Sequence, residues 1–317
     1  MHRIMNKHIK SALLFTAIGL AIYAGVYYAA EQLVYRTGKS NPLYKIVTSQ
    51  ETKFDWIILG ASHAMPLDFA DFSTYMRRET GLRILNLASP GTGPLYNRFV
   101  LEQFLRRNST AGVLYVVDSF AFYSRAWNED RFADAKLLRR TPFDAAVAIR
   151  LVDYIRRQGV DPRAALDYVS GFSKINNRER FELDIWEGEK QFERVFRPSA
   201  TATRSRIAYL YPNPPDGSTL ARYLESFSSL IALARQHNAR VVVVKLPVPA
   251  QFRSQLPGEA AFDSEVARLL EGGEVPFHDF SQSMNDPRFY FDTDHLNRNG
   301  LTEFFGRDLK AILTALP

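Results

Sequence analysis

A serine two residues beyond a short apolar run, and an aspartate and histidine near the far end of the chain, are the residues best suited to chemistry here. The first piece reads Ile57-Ile58-Leu59-Gly60-Ala61-Ser62-His63. A serine hydroxyl becomes a useful nucleophile only when a base takes its proton, and that base needs a partner that fixes its tautomer and stabilises its charged form. The second piece, Phe291-Asp292-Thr293-Asp294-His295-Leu296-Asn297-Arg298-Asn299-Gly300, offers both. Asp292 and His295 are three apart, which on a turn or helical start puts both side chains on one side. Asp294 is expected to point elsewhere and is free to cap the final helix. The same residues admit other readings. Ser62 suits a helix N-cap, and Asp292, Asp294 and His295 suit a polar loop. A metal site is a further alternative, although one histidine among oxygen ligands is not the usual zinc pattern.

Such chemistry needs elements that bring distant parts of the chain together. Phe54 to Leu59 is a short, almost continuous apolar run, the pattern of a strand covered on both faces. Similar runs are Arg83 to Leu87, Gly112 to Val117 and Arg240 to Leu246, with a weaker one at Val275 to Phe280. Helical periods fall at Phe69 to Glu79, Leu95 to Arg107, Leu220 to His237, Ala260 to Leu270 and Leu301 to Leu313. This alternation predicts an α/β fold, a doubly wound parallel sheet in three layers. Ligands of such sheets sit beyond the carboxyl ends of the strands, where Ser62 falls. The stretch from about 122 to 215 interrupts the alternation and is too long for a connection. It reads as a helical insertion or cap, with Phe122, Tyr123, Trp127 and Trp186 available to cover a site.

Gly-x-Ser after the first strand and Asp-x-x-His before the last helix, in that order and separated by the whole sheet, resemble the SGNH (GDSL-like) hydrolase superfamily. The resemblance covers about Asp55 to Phe120 and Arg240 to Leu313. It implies a flavodoxin-like sheet with Ser62 as nucleophile, His295 as general base and then acid, and Asp292 as its orienter. It also implies an oxyanion hole made from the Ser62 N–H, a glycine N–H after the second strand and an asparagine after the third. Gly91 is the first choice for that glycine and Gly93 the second. After the third strand the chain reads Val116-Val117-Asp118-Ser119-Phe120, so the asparagine is missing. Asp118, Ser119, Asn86 and His63 are left as supporting residues around the site. Ala61 and His63 stand where the family carries aspartate and leucine. With an N-terminal anchor, these departures are similar to a membrane-anchored branch that works beside membrane-bound O-acyltransferases. Alginate and cellulose O-acetylation proteins and the teichoic-acid D-alanylation protein belong to it. An α/β-hydrolase elbow matches less well, because it wants glycine where Ala64 stands.

The anchor is read from the first thirty residues. Arg3, Lys7 and Lys10 precede an uncharged run from Ser11 to Ala30, about twenty residues and long enough for a ~30 Å hydrocarbon layer. The basic flank predicts a cytoplasmic N-terminus in a single-pass inner-membrane protein, with the rest of the chain periplasmic or extracellular. Residues 1–36 are thus the cytoplasmic tip and anchor, 37–53 a stalk, and 54–317 the SGNH-like domain. The formal charge of +6 falls to +3, 37 basic against 34 acidic residues, once the three flanking cations are set aside. That evenly spread excess does not predict nucleic-acid binding. The lack of cysteine is compatible with an oxidising compartment. The expected function is O-acyl transfer, usually acetyl, to an exported glycan, without cofactor or metal. Its expected partners are a membrane-bound O-acyltransferase or polysaccharide-synthesis proteins. An extracytoplasmic esterase and an inactive scaffold are the alternatives.

Overall fold

The computed structural model describes residues 2–315. Met1, Leu316 and Pro317 lie outside the described residues, as do the side chains of residues 2–7, among them Arg3 and Lys7 of the basic flank. The main elements in chain order are α1 (His2–Thr37), α2 (Pro42–Thr48), β1 (Lys53–Leu59), α3 (Phe72–Thr80), β2 (Ile84–Asn86), α4 (Pro94–Leu105) and β3 (Ser109–Val116). After them come α5 (Ala145–Gln158), α6 (Arg163–Ser170), α7 (Phe172–Ile175), α8 (Ala200–Leu210), α9 (Gly217–Gln236), β4 (Arg240–Lys245), α10 (Glu259–Gly272), β5 (Phe277–Asp279) and α11 (Arg298–Phe304). The chain divides into two compact units, Met1–Lys39 with Ala133–Asp184, and Ser40–Phe132 with Ile185–Pro317.

The larger unit is an α/β fold on a five-stranded parallel sheet of order β2-β1-β3-β4-β5. Its strands are apolar on both faces because both are covered. Trp56, Ile58, Leu114, Val116, Val242 and Val244 pack on Phe72, Met76, Leu301, Phe304 and Phe305, while Tyr115, of opposite parity on β3, meets Phe227 of α9. The indole N–H of Trp56 donates to the Leu313 carbonyl (2.9 Å), joining β1 to the last helical turns. In this order the chain leaves β1 toward β2 and returns on the other side as β3, so the crevice of the sheet opens between the ends of β1 and β3.

Two expected boundaries move. Residues 37–53, read as a stalk, contain α2, which buries Pro42, Leu43 and Ile46, and the Lys45 ammonium reaches the Asp68 carboxylate (2.7 Å) and the Asn86 carbonyl (2.9 Å). The 122–215 insertion is also narrower than its aromatic content suggests, because 122–132 and 185–215 belong to the sheet unit. Phe122 is core, against Phe227 and Phe262. The helix expected from Phe69 begins at Phe72, since Ser62–Asp68, with Pro66 inside it, winds as a 3-10 turn.

The smaller unit packs α5 to α7 and their flanking turns on the distal part of α1. The buried Lys174 ammonium pairs with Glu31 (2.6 Å), and Arg140 donates to the Thr37 hydroxyl (2.5 Å) and the Glu179 carbonyl (2.7 Å). From His8 to Thr37, α1 is long and apolar enough to cross a membrane.

Candidate active site

Ser62 follows β1 across a glycine that the packing requires. Gly60 has φ +144°, and a Cβ there would come within 2.7 Å of the Val116 carbonyl oxygen. The turn is pinned from several sides. Gly60 N–H donates to Asn97 Oδ1 (3.2 Å), and the Thr92 hydroxyl donates to the Gly60 carbonyl (3.0 Å). Asn86 spans the ends of two strands, its amide donating to the Ala64 carbonyl (2.7 Å) and its Oδ1 accepting from Ala88 N–H (2.9 Å). These two bonds hold the shape of the turn. Ala61, not Ser62, stands at the N-cap position, and no side chain caps that turn. The serine hydroxyl is therefore not consumed as a helix cap, and the residue is 4% exposed.

Asp292 and His295 share one tight turn. The Asp292 carboxylate accepts from the backbone N–H of Asp294 (3.0 Å) and His295 (2.8 Å), and both of its oxygens lie 2.9 Å from His295 Nδ1. This contact places the proton on Nδ1 and leaves Nε2 as the basic nitrogen. The ring stacks on Phe291 (5.4 Å between centroids) and meets Trp186 edge-on (5.2 Å). His295 Nε2 is buried and has no hydrogen-bond partner among the described residues, so the Ser62–His295 hydrogen bond is not formed here. The His63 ring, on the residue next to Ser62 in the chain, is 4.8 Å from the His295 ring, so the chain after β1 approaches the turn that carries His295. Catalytic hydrogen bonds of free enzymes are often open and tighten on substrate.

The surroundings of His295 correct the expectation for Asp294 and show how His63 and Asp118 are arranged. His63 bridges two carboxylates, with Nδ1 2.5 Å from Asp118 and Nε2 3.1 Å from Asp294. Burial opposes its charged form, but Asp118 and Asp294 overcome that and push its pKa up to about 10. As an imidazolium, His63 has both N–H groups committed to carboxylates. Asp294 does not point away and does not cap the last helix; the Asn297 side chain does that. Asp294 is 1% exposed and accepts from the Arg206 guanidinium (2.8 and 2.9 Å). Burial alone would raise its pKa, yet Arg206, His295 and His63 hold it well below the usual carboxylate range. Arg206 carried no signal in the sequence, because a lone arginine on α8 looks like any solvated helix residue. The turn around Asp292 is what swings Asp294 inward, against the simple alternation of neighbouring side chains.

The oxyanion candidates separate by hydrogen bonding. Gly93 N–H is taken by the Trp127 carbonyl (2.5 Å). The N–H groups of Ser62 and Gly91 donate to no carbonyl outside the regular elements among the described residues. Gly91 has φ +59°, and a Cβ there would meet the Trp127 ring at 2.6 Å, so that indole shapes the turn from beneath. Neither residue after β3 replaces the missing asparagine. Asp118 is held by His63, and Ser119 donates to Glu259 in a buried cluster with Tyr211 (2.6 Å) and Lys245. His63, Asp294 and His295 place potential ligand atoms within 4.8 Å of one another. A cation there would have to take a proton from His63 and displace Arg206 from Asp294, so the donor set suits charge pairing better than metal.

No protein-family model and no curated protein matches the sequence. Among solved structures, the chain is similar to a Bacteroides fragilis protein provisionally described as an acylhydrolase (11% identity, TM-score 0.43, 85% of this chain and 90% of that one). It is similar also to a GDSL-like lipase from Bacteroides thetaiotaomicron (10% identity, TM-score 0.44, 85% and 94%). A Streptococcus pneumonia protein provisionally described as a platelet activating factor aligns over 94% of this chain and 99% of its own (10% identity, TM-score 0.43).

Proposed function

We propose that the protein is a membrane-anchored serine acyltransferase that uses Ser62, His295 and Asp292 to move an acyl group, most simply acetyl, onto a hydroxyl of an exported polysaccharide. One observation carries the reading: a histidine fixed at Nδ1 by a carboxylate, with Nε2 buried and unpartnered among the described residues, and its ring 4.8 Å from that of His63, the residue after Ser62. His295 Nε2 takes the Ser62 proton as Oγ bonds to the acyl carbonyl carbon, and the oxyanion falls to the N–H groups of Ser62 and Gly91. Collapse of that intermediate returns the proton to the leaving group and leaves acyl-Ser62. A sugar hydroxyl then gives its proton to the same nitrogen, attacks the ester and frees the serine. Transfer instead of hydrolysis requires that water be scarce, and the near-complete burial of Ser62 and His295, with Trp186 and Phe291 against the base, favours it. A membrane-bound O-acyltransferase is the proposed donor partner.

The full-length protein in detergent should be labelled by a serine-reactive phosphonate and should acetylate a glycan acceptor; Ser62→Ala should lose both. Unchanged glycan acylation in Ser62→Ala would refute the mechanism. Release of acetate from a chromogenic ester at a rate indifferent to the acceptor would instead establish the esterase reading.

A further inference from the structure

The apolar run of α1 provides a depth scale, since a helix rises ~1.5 Å per residue and the hydrocarbon layer is ~30 Å thick. With Ala30 at the distal boundary, Tyr23 lies about 10 Å inside the layer, and Arg36 about 9 Å beyond it, at headgroup depth. The turn between α6 and α7 meets α1 on the inner side of that boundary. The Tyr23 hydroxyl donates to the Ser170 carbonyl (2.6 Å). The Tyr27 ring lies against Gly171, whose φ is +68° and where a Cβ would come within 2.2 Å of the ring.

The surface of that turn is what such a depth demands. Leu166, Val169 and Phe172, three residues apart, are 70%, 54% and 64% exposed. Two charged groups between and beside them, Asp167 and Lys174, are paired within the protein. Asp167 accepts from Ser173 N–H (2.7 Å) and from its hydroxyl, and the Lys174 ammonium, its side chain 2% exposed, is bonded to Glu31. Internal pairing of polar groups with apolar residues outside is the arrangement for lipid contact. An interfacial segment also buries its apolar face by ~5–10 Å, the depth that α1 sets.

We propose that the α6–α7 turn is embedded in the distal leaflet through Leu166, Val169 and Phe172, so that the chain holds its membrane by a spanning helix and a monotopic wedge packed against it. This rests on the anchor part of the proposed function and not on the catalytic part. The chain has no cysteine, so single labels report without background. Full-length Phe172→Cys, Leu166→Cys, Leu14→Cys and Arg268→Cys are each labelled with bimane in phosphatidylcholine–phosphatidylglycerol vesicles, then exposed to doxyl-labelled lipid or to aqueous iodide. Labels at 166 and 172 should lose most of their emission to doxyl lipid and little to iodide, as at 14 inside α1, while 268 on the sheet unit responds to iodide alone. Labels at 166 and 172 that follow 268, or that are shielded from both quenchers by protein, overturn the wedge while leaving the anchor intact. Failure of the label at 14 to meet lipid overturns the anchor and the wedge together.

Discussion

His63 sits between two carboxylates, beside a base that must stay neutral to act, so its charge sets the electrostatics of the whole pocket. As an imidazolium, together with Arg206, it balances Asp118 and Asp294 and relieves His295 of two unpaired buried anions. The linkage has a definite sign. The folded state holds this proton up to about pH 10, whereas an unfolded histidine loses it near about 6.5. The stabilisation is therefore complete below about pH 6.5 and is lost as pH rises toward about 10, at up to about 1.4 kcal/mol per pH unit. Asp294 acts oppositely: its pKa is depressed, so its contribution is present above the ordinary carboxylate range and is lost as pH falls. Thermal unfolding of the full chain in detergent should show Tm falling across the alkaline window. In His63→Gln the alkaline decline should flatten, from a lower starting stability because Asp118 loses its cation and Asp294 keeps only Arg206, a loss of about 3–5 kcal/mol by analogy with broken buried pairs. A parallel decline in both proteins would remove His63 from the account.

The turns that follow β1 and β2 act as one element, since each borrows its shape from the other. Thr92 and Asn97 hold Gly60, Gly93 carries the Trp127 carbonyl, and Asn128 caps the start of α4 by accepting from Leu95 N–H (3.1 Å). Gly93 is the sensitive point. A Cβ there would lie 2.4 Å from Asn128 Oδ1 and 2.6 Å from the Ala121 carbonyl oxygen, so Asn128 cannot simply rotate out of the way. Gly93→Ala should destabilise the protein by about 1–3 kcal/mol, the usual scale of overpacking, and should slow phosphonate labelling of Ser62 more than that stability loss explains. Wild-type labelling kinetics in a stably folded variant would show that the two turns are uncoupled. Much of this architecture was legible beforehand, because parallel strands buried on both faces leave near-continuous apolar runs; Phe54–Leu59 and Arg240–Leu246 fell almost on β1 and β4. Asp292 and His295 were legible for a local reason, a three-residue spacing on a turn. What was hidden depends on contacts between distant parts of the sequence: Arg206 on Asp294, Ser119 on Glu259, and α2 held to the turn after β1 by Lys45. No period or spacing announces such pairings.

At the scale of the molecule, the proposed chemistry and the proposed anchor belong to different units. Ser62, Gly91, Asp118, Arg206, Asp292, Asp294 and His295 all lie in the sheet unit, whereas α1 and residues 133–184 form the other. Each segment of the smaller unit needs the other. Without α1, Lys174 would lose Glu31, Gly171 would lose the Tyr27 ring, and Arg140 would lose the Thr37 hydroxyl. Stranding one buried ammonium alone costs about 3–5 kcal/mol by analogy with broken buried pairs, more than three short helices can recover from their own contacts. A chain beginning at Ser40 should therefore keep the sheet unit, with Ser62 in place, while residues 133–184 lose their order. Limited trypsin digestion followed by mass spectrometry tests this, because Arg139, Arg140, Arg150, Arg156 and Arg157 all fall in that stretch. Cleavage in the truncated chain should concentrate there, with the same bonds protected in the full chain in detergent, and phosphonate labelling of Ser62 should proceed at a similar rate in both. Equal protection of 133–184 in the two chains would mean that these helices stand without α1. A large loss of labelling would mean that the anchor unit contributes to the chemistry, and the division between the two units would then be structural only.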